Sequence, residues 1–393
     1  MKNSRAVCLY IHIPYCISKC EYCDFFSTVC DKTAGRKIPD TYIQALCREI
    51  KFRMNEYKAD SLKSVYIGGG TPSLLEPDQL QKICECFAPY NHDFEFTMEV
   101  NPDDVTVRLL EAMEQCGINR ISCGIQSCTD ECLCGVNRRA KNNENLAAME
   151  LIQQHWHKKK SYDLICGLPG ETKESFLQTL ETVIKYQPHH ISMYSLTIED
   201  ETPLGQKVNS GKLEYDFNSS DELWLSSKKY LEDKGYRQYE VSNFCTDGNE
   251  CIHNLVYWNH QDYLGCGSGA TGTVYQEDGT GHRWTNTKDI NKYVSLWLGD
   301  AQTPKLNSIQ TVEEIDLEAS VFEYFMMGLR KRTGITDRHF YQTFKRAIPA
   351  EIITRFEQWQ KKGLAEIEKN GEVTRYSLNE QGLLFLNRFL EEI

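Results

Sequence analysis

Positive charge is in deficit in this chain: 44 lysines and arginines face 56 aspartates and glutamates, a net charge of -12. That balance argues against a broad nucleic-acid-binding face or a footprint on anionic lipid. Long apolar runs are also missing. No stretch approaches the ~18 apolar residues that a membrane span requires, and Met1 to Tyr10 holds no apolar core of signal-peptide length. The chain is therefore expected to be cytoplasmic, with any membrane contact peripheral. No internal repeat or low-complexity tract breaks the 393 residues, of which 40% are hydrophobic. That length suits one large α/β domain, or two or three modest ones.

Cysteine, by contrast, is plentiful, with 17 residues. In a chain expected to be cytoplasmic, an odd count of this size indicates reduced thiols and metal ligands, not a disulfide framework. Cys16, Cys20 and Cys23 form a Cys-x3-Cys-x2-Cys cluster directly after a β-like run, Val7 to Ile13, and Pro14. Three thiolates are one fewer than a closed four-ligand site needs. A cubane iron-sulfur cluster held by three cysteines keeps one iron open to a substrate or cofactor; a structural zinc site is the competing use. Cys123, Cys128, Cys132 and Cys134 form a second group, but their gaps match no common zinc spacing and they are expected to be scattered thiols.

Short apolar or alternating runs at 7–13, 64–68, 94–100, 119–125, 160–166 and 190–198 alternate with helix-compatible stretches at 41–58, 76–88, 104–116, 143–157 and 173–186. Six strand-helix repeats predict an α/β fold with a parallel sheet curled into a full or partial barrel. Active sites of such barrels lie at the C-terminal strand ends. In order, those ends present the cysteine loop, Gly68-Gly-Gly-Thr-Pro72, Glu99 with Asn101, Gln126, Asp163 with Gly167-Leu-Pro-Gly170, and Thr197 with Glu199. The glycine triplet could let backbone approach a ligand, or simply make a tight turn. Neither a Walker lysine nor a Gly-x-Gly-x-x-Gly fingerprint follows it.

Beyond about 215 the chain becomes aromatic-rich. Cys251 and His253 stand two apart, beside Tyr257 and Trp258. Such a pair suits a metal or heme ligand set, and equally a hydrogen-bonded core histidine beside aromatic packing. Gly265 to Gly272 is a second Gly-rich turn, expected near the barrel mouth. The tail, from about 310, reads as helices followed by a hairpin signalled by Asn370-Gly371, a winged-helix-like module. Residues 311–393 carry 12 basic and 14 acidic side chains, so packing or partner contact is expected there, not nucleic-acid binding. The expected organisation is a barrel core over 1–235, an aromatic and Gly-rich extension over 236–309, and a helical domain over 310–393.

Tyr10-Ile-His-Ile-Pro-Tyr-Cys16, the cysteine triple, Gly68-Gly-Gly-Thr-Pro72 and Gly124-Ile-Gln-Ser127 together resemble the radical S-adenosylmethionine (SAM) enzymes of the oxygen-independent coproporphyrinogen III oxidase group. The resemblance implies a radical SAM partial (β/α)6 TIM-like barrel. It also implies a [4Fe-4S] cluster on Cys16, Cys20 and Cys23, whose fourth iron binds SAM through its amino and carboxylate groups, so that one-electron reduction releases a 5'-deoxyadenosyl radical. By the same resemblance Tyr10 and Tyr22 border the cluster and cofactor, and Gly69, Gly70 and Thr71 cradle the methionine part. Glu99, Gln126, Arg138 and Asp163 match further cofactor-contacting positions.

Within that group, the oxidases carry a fourth cysteine two residues after the third and a longer N-terminal extension. Here the loop continues Cys23-Asp24-Phe25, which looks like the group's heme chaperone branch. His253-Asn-Leu-Val-Tyr-Trp258 fits that branch's His-Asn-x-x-Tyr-Trp signature and implies a heme contact at His253. Three departures stand beside it: Ile252 where a basic residue is usual, Gly267-Ser-Gly-Ala-Thr271 where the turn ends in histidine, and Asn137-Arg-Arg-Ala140 in place of Gly-Arg-x-His. The resemblance implies a protein that binds heme as well as the cluster and SAM, and passes heme to respiratory acceptors at the membrane, where the heme-loaded form would associate. The alternative is the oxidase activity itself, radical decarboxylation of coproporphyrinogen III to protoporphyrinogen IX. A homodimer stays open.

Overall fold

The computed structural model describes residues 6–30, 37–90, 93–299 and 305–393; residues 1–5, where an apolar leader was judged absent, lie outside them. Six strands, β1 (Ala6–Ile13), β2 (Ser61–Gly69), β3 (Glu95–Val100), β4 (Arg120–Gln126), β5 (Lys159–Cys166) and β6 (His190–Ser195), pair in chain order. Every pairing among them is parallel. Between them lie helices α1 (Asp40–Glu56), α2 (Pro77–Cys84), α3 (Val107–Gln115), α4 (Asn142–His155) and α5 (Lys173–Lys185).

The helices form where apolar residues recur every three or four positions. In α1, Tyr42, Ile43, Leu46, Ile50 and Met54 make one buried stripe. Starts are set locally: the Thr106 hydroxyl accepts from Leu109 N at the head of α3, and Thr172 from Ser175 N at the head of α5.

Side-chain alternation along the strands decides what the curved sheet encloses. Outward positions such as Leu9, Ile11, Val65, Ile67, Phe96, Met98, Ile121, Leu164, Ile191 and Met193 are buried under the helices in one large apolar core. Inward positions are polar. Register aligns Tyr10 with Tyr66, Thr97 and Arg120, then Glu99 with Ser122, Ser161 and His190, and then Gly124 with Asp163 and Ser192. The interior is thus a ladder of titratable and hydroxyl groups.

The sheet stays open and runs on at both edges, to twelve strands. Past β6 come the antiparallel β7 (Asn243–Cys245) and the two-residue strand Arg237–Gln238. Past β1 comes β8 (Tyr263–Cys266), parallel to it, then antiparallel β9 (Thr271–Tyr275), β10 (Gly281–Asn286) and β11 (Gln310–Ile315). The aromatic, Gly-rich stretch therefore supplies sheet that the sequence pattern did not announce. A second apolar cluster joins Tyr324, Phe325, Phe340, Phe356, Trp359 and Phe389, from helices Leu317–Gly328, Asp337–Phe344, Ala350–Lys361 and Leu386–Leu390, beside the hairpin Ala365–Asn370 and Val373–Leu378. Because Asn370 still pairs with Val373, the two turn residues are Gly371, at φ 62, and Glu372, one position later than the Asn-Gly signal suggests.

Candidate functional site

The cysteine loop leaves β1 through Pro14 and is gripped from several sides. Tyr15–Cys16 pairs with Thr28–Val29, and Cys30 N donates to Cys16 O at 2.8 Å. Glu21 N donates to Val136 O at 2.9 Å, and the Asn137 amide to Lys19 O at 3.0 Å. Asn137 takes φ 54, a left-handed conformation that asparagine tolerates better than other side-chain-bearing residues. Asparagine here thus serves a backbone position that glycine would also suit, and its side chain adds a bond to the loop.

A hydrogen-bonded path runs from one cysteine to another across three strand ends. The Thr71 hydroxyl donates to Cys16 Sγ at 3.4 Å, and Asn101 Nδ2 to Thr71 Oγ1 at 3.4 Å. Arg138 Nη2 donates to Asn101 Oδ1 at 2.8 Å and to Gly124 O at 2.5 Å, while its Nη1 reaches Cys20 Sγ at 3.7 Å. Arg138 Nε is buried without a partner. Burial pushes the Cys23 thiol up to about 11, helped by Cys20 and Cys16; thiols that resist ionising alone are stabilised as thiolates when iron binds.

Glycine permits the close approach at two points. A Cβ on Gly70 would lie 2.7 Å from Tyr15 O and 2.9 Å from Cys16 Sγ; one on Gly69, at φ 118, would lie 2.7 Å from the His12 ring. Next to them Glu99 accepts from Tyr66 Oη at 2.9 Å and from Gly69 N at 3.2 Å. Burial, reinforced by Asp163, lifts its pKa from 4.5 to about 7 against those two hydrogen bonds. Gln126, at φ 69 on a register shift of β4, packs with Arg138 over Gly124, whose Cβ would meet both. Asp163 accepts from Ser122, Ser192 and Ser161, and burial raises its pKa. The Tyr10 hydroxyl lies 2.9 Å from His12 Nδ1, and His12 Nε2 lies 2.9 Å from Phe26 O. A carbonyl only accepts, so Nε2 carries the proton and Tyr10 donates to Nδ1. Tyr22 is set beside Cys20 and Arg138, and its phenol is raised by burial.

Among the described residues, no three His, Cys, Asp or Glu side chains close around a point as a single ion would require. A cubane does not ask for that: its three thiolates bind three different irons. The thiol triple, the Arg138 contact to Cys20 and the space kept clear at Gly70 fit such a cluster.

The Radical SAM superfamily model matches residues 10–183. "Heme chaperone HemW" of Bacillus subtilis is 30% identical over 384 residues, 96% of both chains. Its namesake in Escherichia coli is 32% identical over 401 residues, 98% of this chain and 97% of that one. The chain belongs to the radical SAM superfamily, in its HemW branch. In fold it is also like coproporphyrinogen III oxidase (HemN) of Escherichia coli, with a TM-score of 0.81 at 20% identity over 99% of this chain and 90% of that one. Membership implies a [4Fe-4S] cluster and SAM.

In this HemW-family chain, His253 lies apart from the cysteine loop. It is 1% exposed at the start of a short helix, Ile252–Trp258, that plugs the lumen beside Ser64 and Glu95, at the N-terminal ends of β2 and β3. Ser64 Oγ is 2.8 Å from its Nδ1 and Tyr257 Oη 3.0 Å from its Nε2, while its backbone N–H donates to Glu95 at 3.0 Å. Tyr66 stacks on its ring at 5.0 Å. Burial, with Arg120 nearby, drops its pKa to about 3. Both ring nitrogens are thus engaged, and the geometry is that of a hydrogen-bonded core histidine. Cys251 likewise donates to Glu95 at 3.3 Å.

Cys123 and Cys132 are buried, Cys128 is half-buried and Cys134 exposed, and all are free thiols. The residues that sequence reasoning passed over are His12, Tyr66, Ser122 and Ser192, together with Glu171, which accepts from Gly167 N at 2.8 Å and Ser127 Oγ at 3.3 Å and so shapes the Gly167 turn. Their signal was parity: each strand member among them sits on the inward side with a residue already singled out. Among the described residues, no helix is long and apolar enough to cross a membrane.

Proposed function

We propose that this protein is a heme chaperone that carries a SAM-coordinated [4Fe-4S] cluster and hands heme to respiratory hemoproteins at the membrane. The observation that carries this reading is likeness to heme chaperones along essentially the whole chain. Asp24-Phe25, where the oxidases have a fourth cysteine, supports the same branch.

In this reading Cys16, Cys20 and Cys23 hold the cluster, and Arg138 balances thiolate charge at Cys20. Gly69, Gly70 and Thr71 leave room for the methionine part of SAM. Glu99, ionised above its pKa of about 7, accepts a hydrogen bond from the amino group of SAM. Gln126 and Asp163 offer an amide and a carboxylate to ribose hydroxyls, while Tyr10 and Tyr22 wall the pocket. The bound cluster supplies one-electron chemistry at the sulfonium. With both nitrogens of His253 engaged, heme is expected to bind without it.

The test is a heme titration of the cluster-reconstituted protein. A saturable Soret shift is expected, retained in His253→Ala, followed by heme transfer to an apo-hemoprotein in membrane vesicles. Absence of any shift overturns the chaperone reading. Turnover of coproporphyrinogen III at catalytic rates, with SAM and a reductant under anaerobic conditions, would establish the oxidase instead.

A further inference from the structure

On the outer helical layer, away from the barrel mouth, two cysteines converge. Cys47 lies in the middle of α1 and Cys86 two residues past the end of α2. Both thiols donate to one carbonyl oxygen, that of Lys82, at 3.5 Å from Cys47 Sγ and 3.4 Å from Cys86 Sγ. Cys86 Sγ also lies 3.8 Å from Cys47 O, and each thiol is close enough to shift the other's ionisation. α1 and α2 pack on the same core, so the segments that carry the two sulfurs are already neighbours, as a ~2 Å bond between them requires.

We propose that Cys47 and Cys86 are a redox-active dithiol that a hydroperoxide converts to a disulfide linking α1 to the segment after α2. Their unequal settings assign the roles. Cys47 is half-exposed, and the thiol of Cys86, with Lys51 and Lys82, favours its thiolate. Cys86 is 6% exposed and its thiol is pushed up by the bond to Cys47 and by burial. A cleft of about 610 Å³, lined by Lys51, Met54, Lys58, Cys86 and Tyr90 among others, opens at Cys86, while half-exposed Cys47 meets a small oxidant at the helix surface.

The Cys47 thiolate attacks one peroxide oxygen, the O–O bond breaks, and hydroxide leaves, giving a sulfenic acid. Cys86 sulfur then displaces the sulfenic oxygen, which departs as water with the Cys86 proton. Two thiols have lost two electrons, and one peroxide has become two waters. A second neighbouring pair, Cys84 and Cys116, lacks the Lys51 and Lys82 charges that favour the Cys47 thiolate, so it should oxidise more slowly.

The cluster-loaded protein is exposed to stoichiometric hydrogen peroxide, its remaining thiols are alkylated, and it is cut with trypsin without reduction. Peptide 38–48, carrying Cys47, is expected to be joined to peptide 83–108, carrying Cys84 and Cys86. The link should persist in Cys84→Ser, vanish in Cys47→Ser and Cys86→Ser, and open with a dithiol reductant. It should form before the link from 83–108 to 109–120, which carries Cys116. The cluster cysteines fall on other peptides, so cluster damage does not confuse the readout. Recovery of Cys47 only as free thiol or sulfinic acid, survival of the link in Cys86→Ser, or the reverse order of the two links overturns the proposal.

Discussion

Glu99 offers a measurement that separates function from folding. Its pKa stands at about 7 in the folded chain against 4.5 for an unhindered glutamate, because burial and the neighbouring Asp163 penalise its charge. Between those two values the native state holds a proton that the unfolded state has lost. Stability therefore falls as pH rises through that window. At about 1.4 kcal/mol for each pH unit the ceiling is about 3 kcal/mol, and because Glu99 is only partly screened at the barrel mouth, roughly half of that is expected. Glu99→Gln removes the titration. It also sets an amide nitrogen against one of two donors, Tyr66 Oη or Gly69 N, a pH-independent cost of about 1–2 kcal/mol. The diagnostic is accordingly a slope. Urea unfolding of the metal-free, reduced protein from pH 4.5 to 8.5 should show the variant gaining about 1.5 kcal/mol on the wild type, with most of the change below pH 7. Calorimetry on the reconstituted variant should show SAM affinity lost, while in the wild type affinity should climb as pH passes 7. A difference between variant and wild type that stays flat with pH would refute the electrostatic account, whatever its size.

Gly70→Ala places a Cβ against Tyr15 O and Cys16 Sγ and should prevent cluster assembly, read as iron and sulfide content near zero in a protein that still folds by circular dichroism. Asn137→Ala keeps φ 54 without the bond to Lys19 O, at a cost of about 1–2 kcal/mol; iron should leave faster in air, and Asn137→Gly should recover the strain but not the bond. His253→Ala strands Ser64 and Tyr257 and opens a cavity among buried rings, so it should cost about 3–5 kcal/mol by denaturant melt. A loss below about 1 kcal/mol would refute the structural role and leave His253 to the heme contact that its signature implies.

Strand order and the cluster loop were readable because both rest on local pattern. Apolar outward residues on β1 to β6, and stripes such as Tyr42, Leu46 and Ile50 on α1, carry the same message at every level, so tertiary packing had nothing to override. The edge strands were not readable. Thr271 to Tyr275 and Gly281 to Asn286 are short, glycine-bearing and only partly buried, and they become strands through pairing with β8 and with each other. The interior ladder was present as period-two polarity, Cys8, Tyr10 and His12 on β1 and Ser122, Gly124 and Gln126 on β4, but it is masked when every other residue is apolar and the strand reads as a continuous buried run. Asn101 was seen at its strand end, yet its bridging of Thr71 to Arg138 belongs to three dimensions alone.

The three departures from the family pattern illustrate why motif matching and geometry part company. Asn137 holds a left-handed position, which the family pattern would fill with glycine, and ties the cysteine loop through Lys19 O. Thr271, where relatives have histidine, sits on β9 with its hydroxyl 2.9 Å from that of Thr285 across the ladder, beside Gly269, which packs on Phe26 of the loop. Ile252 is 45% exposed at the other end of the lumen, next to a His253 whose nitrogens are both engaged. The signature segment closes the barrel floor through hydrogen bonds with Ser64, Glu95 and Tyr257, whereas the groups open to a ligand are collected at the opposite, C-terminal end.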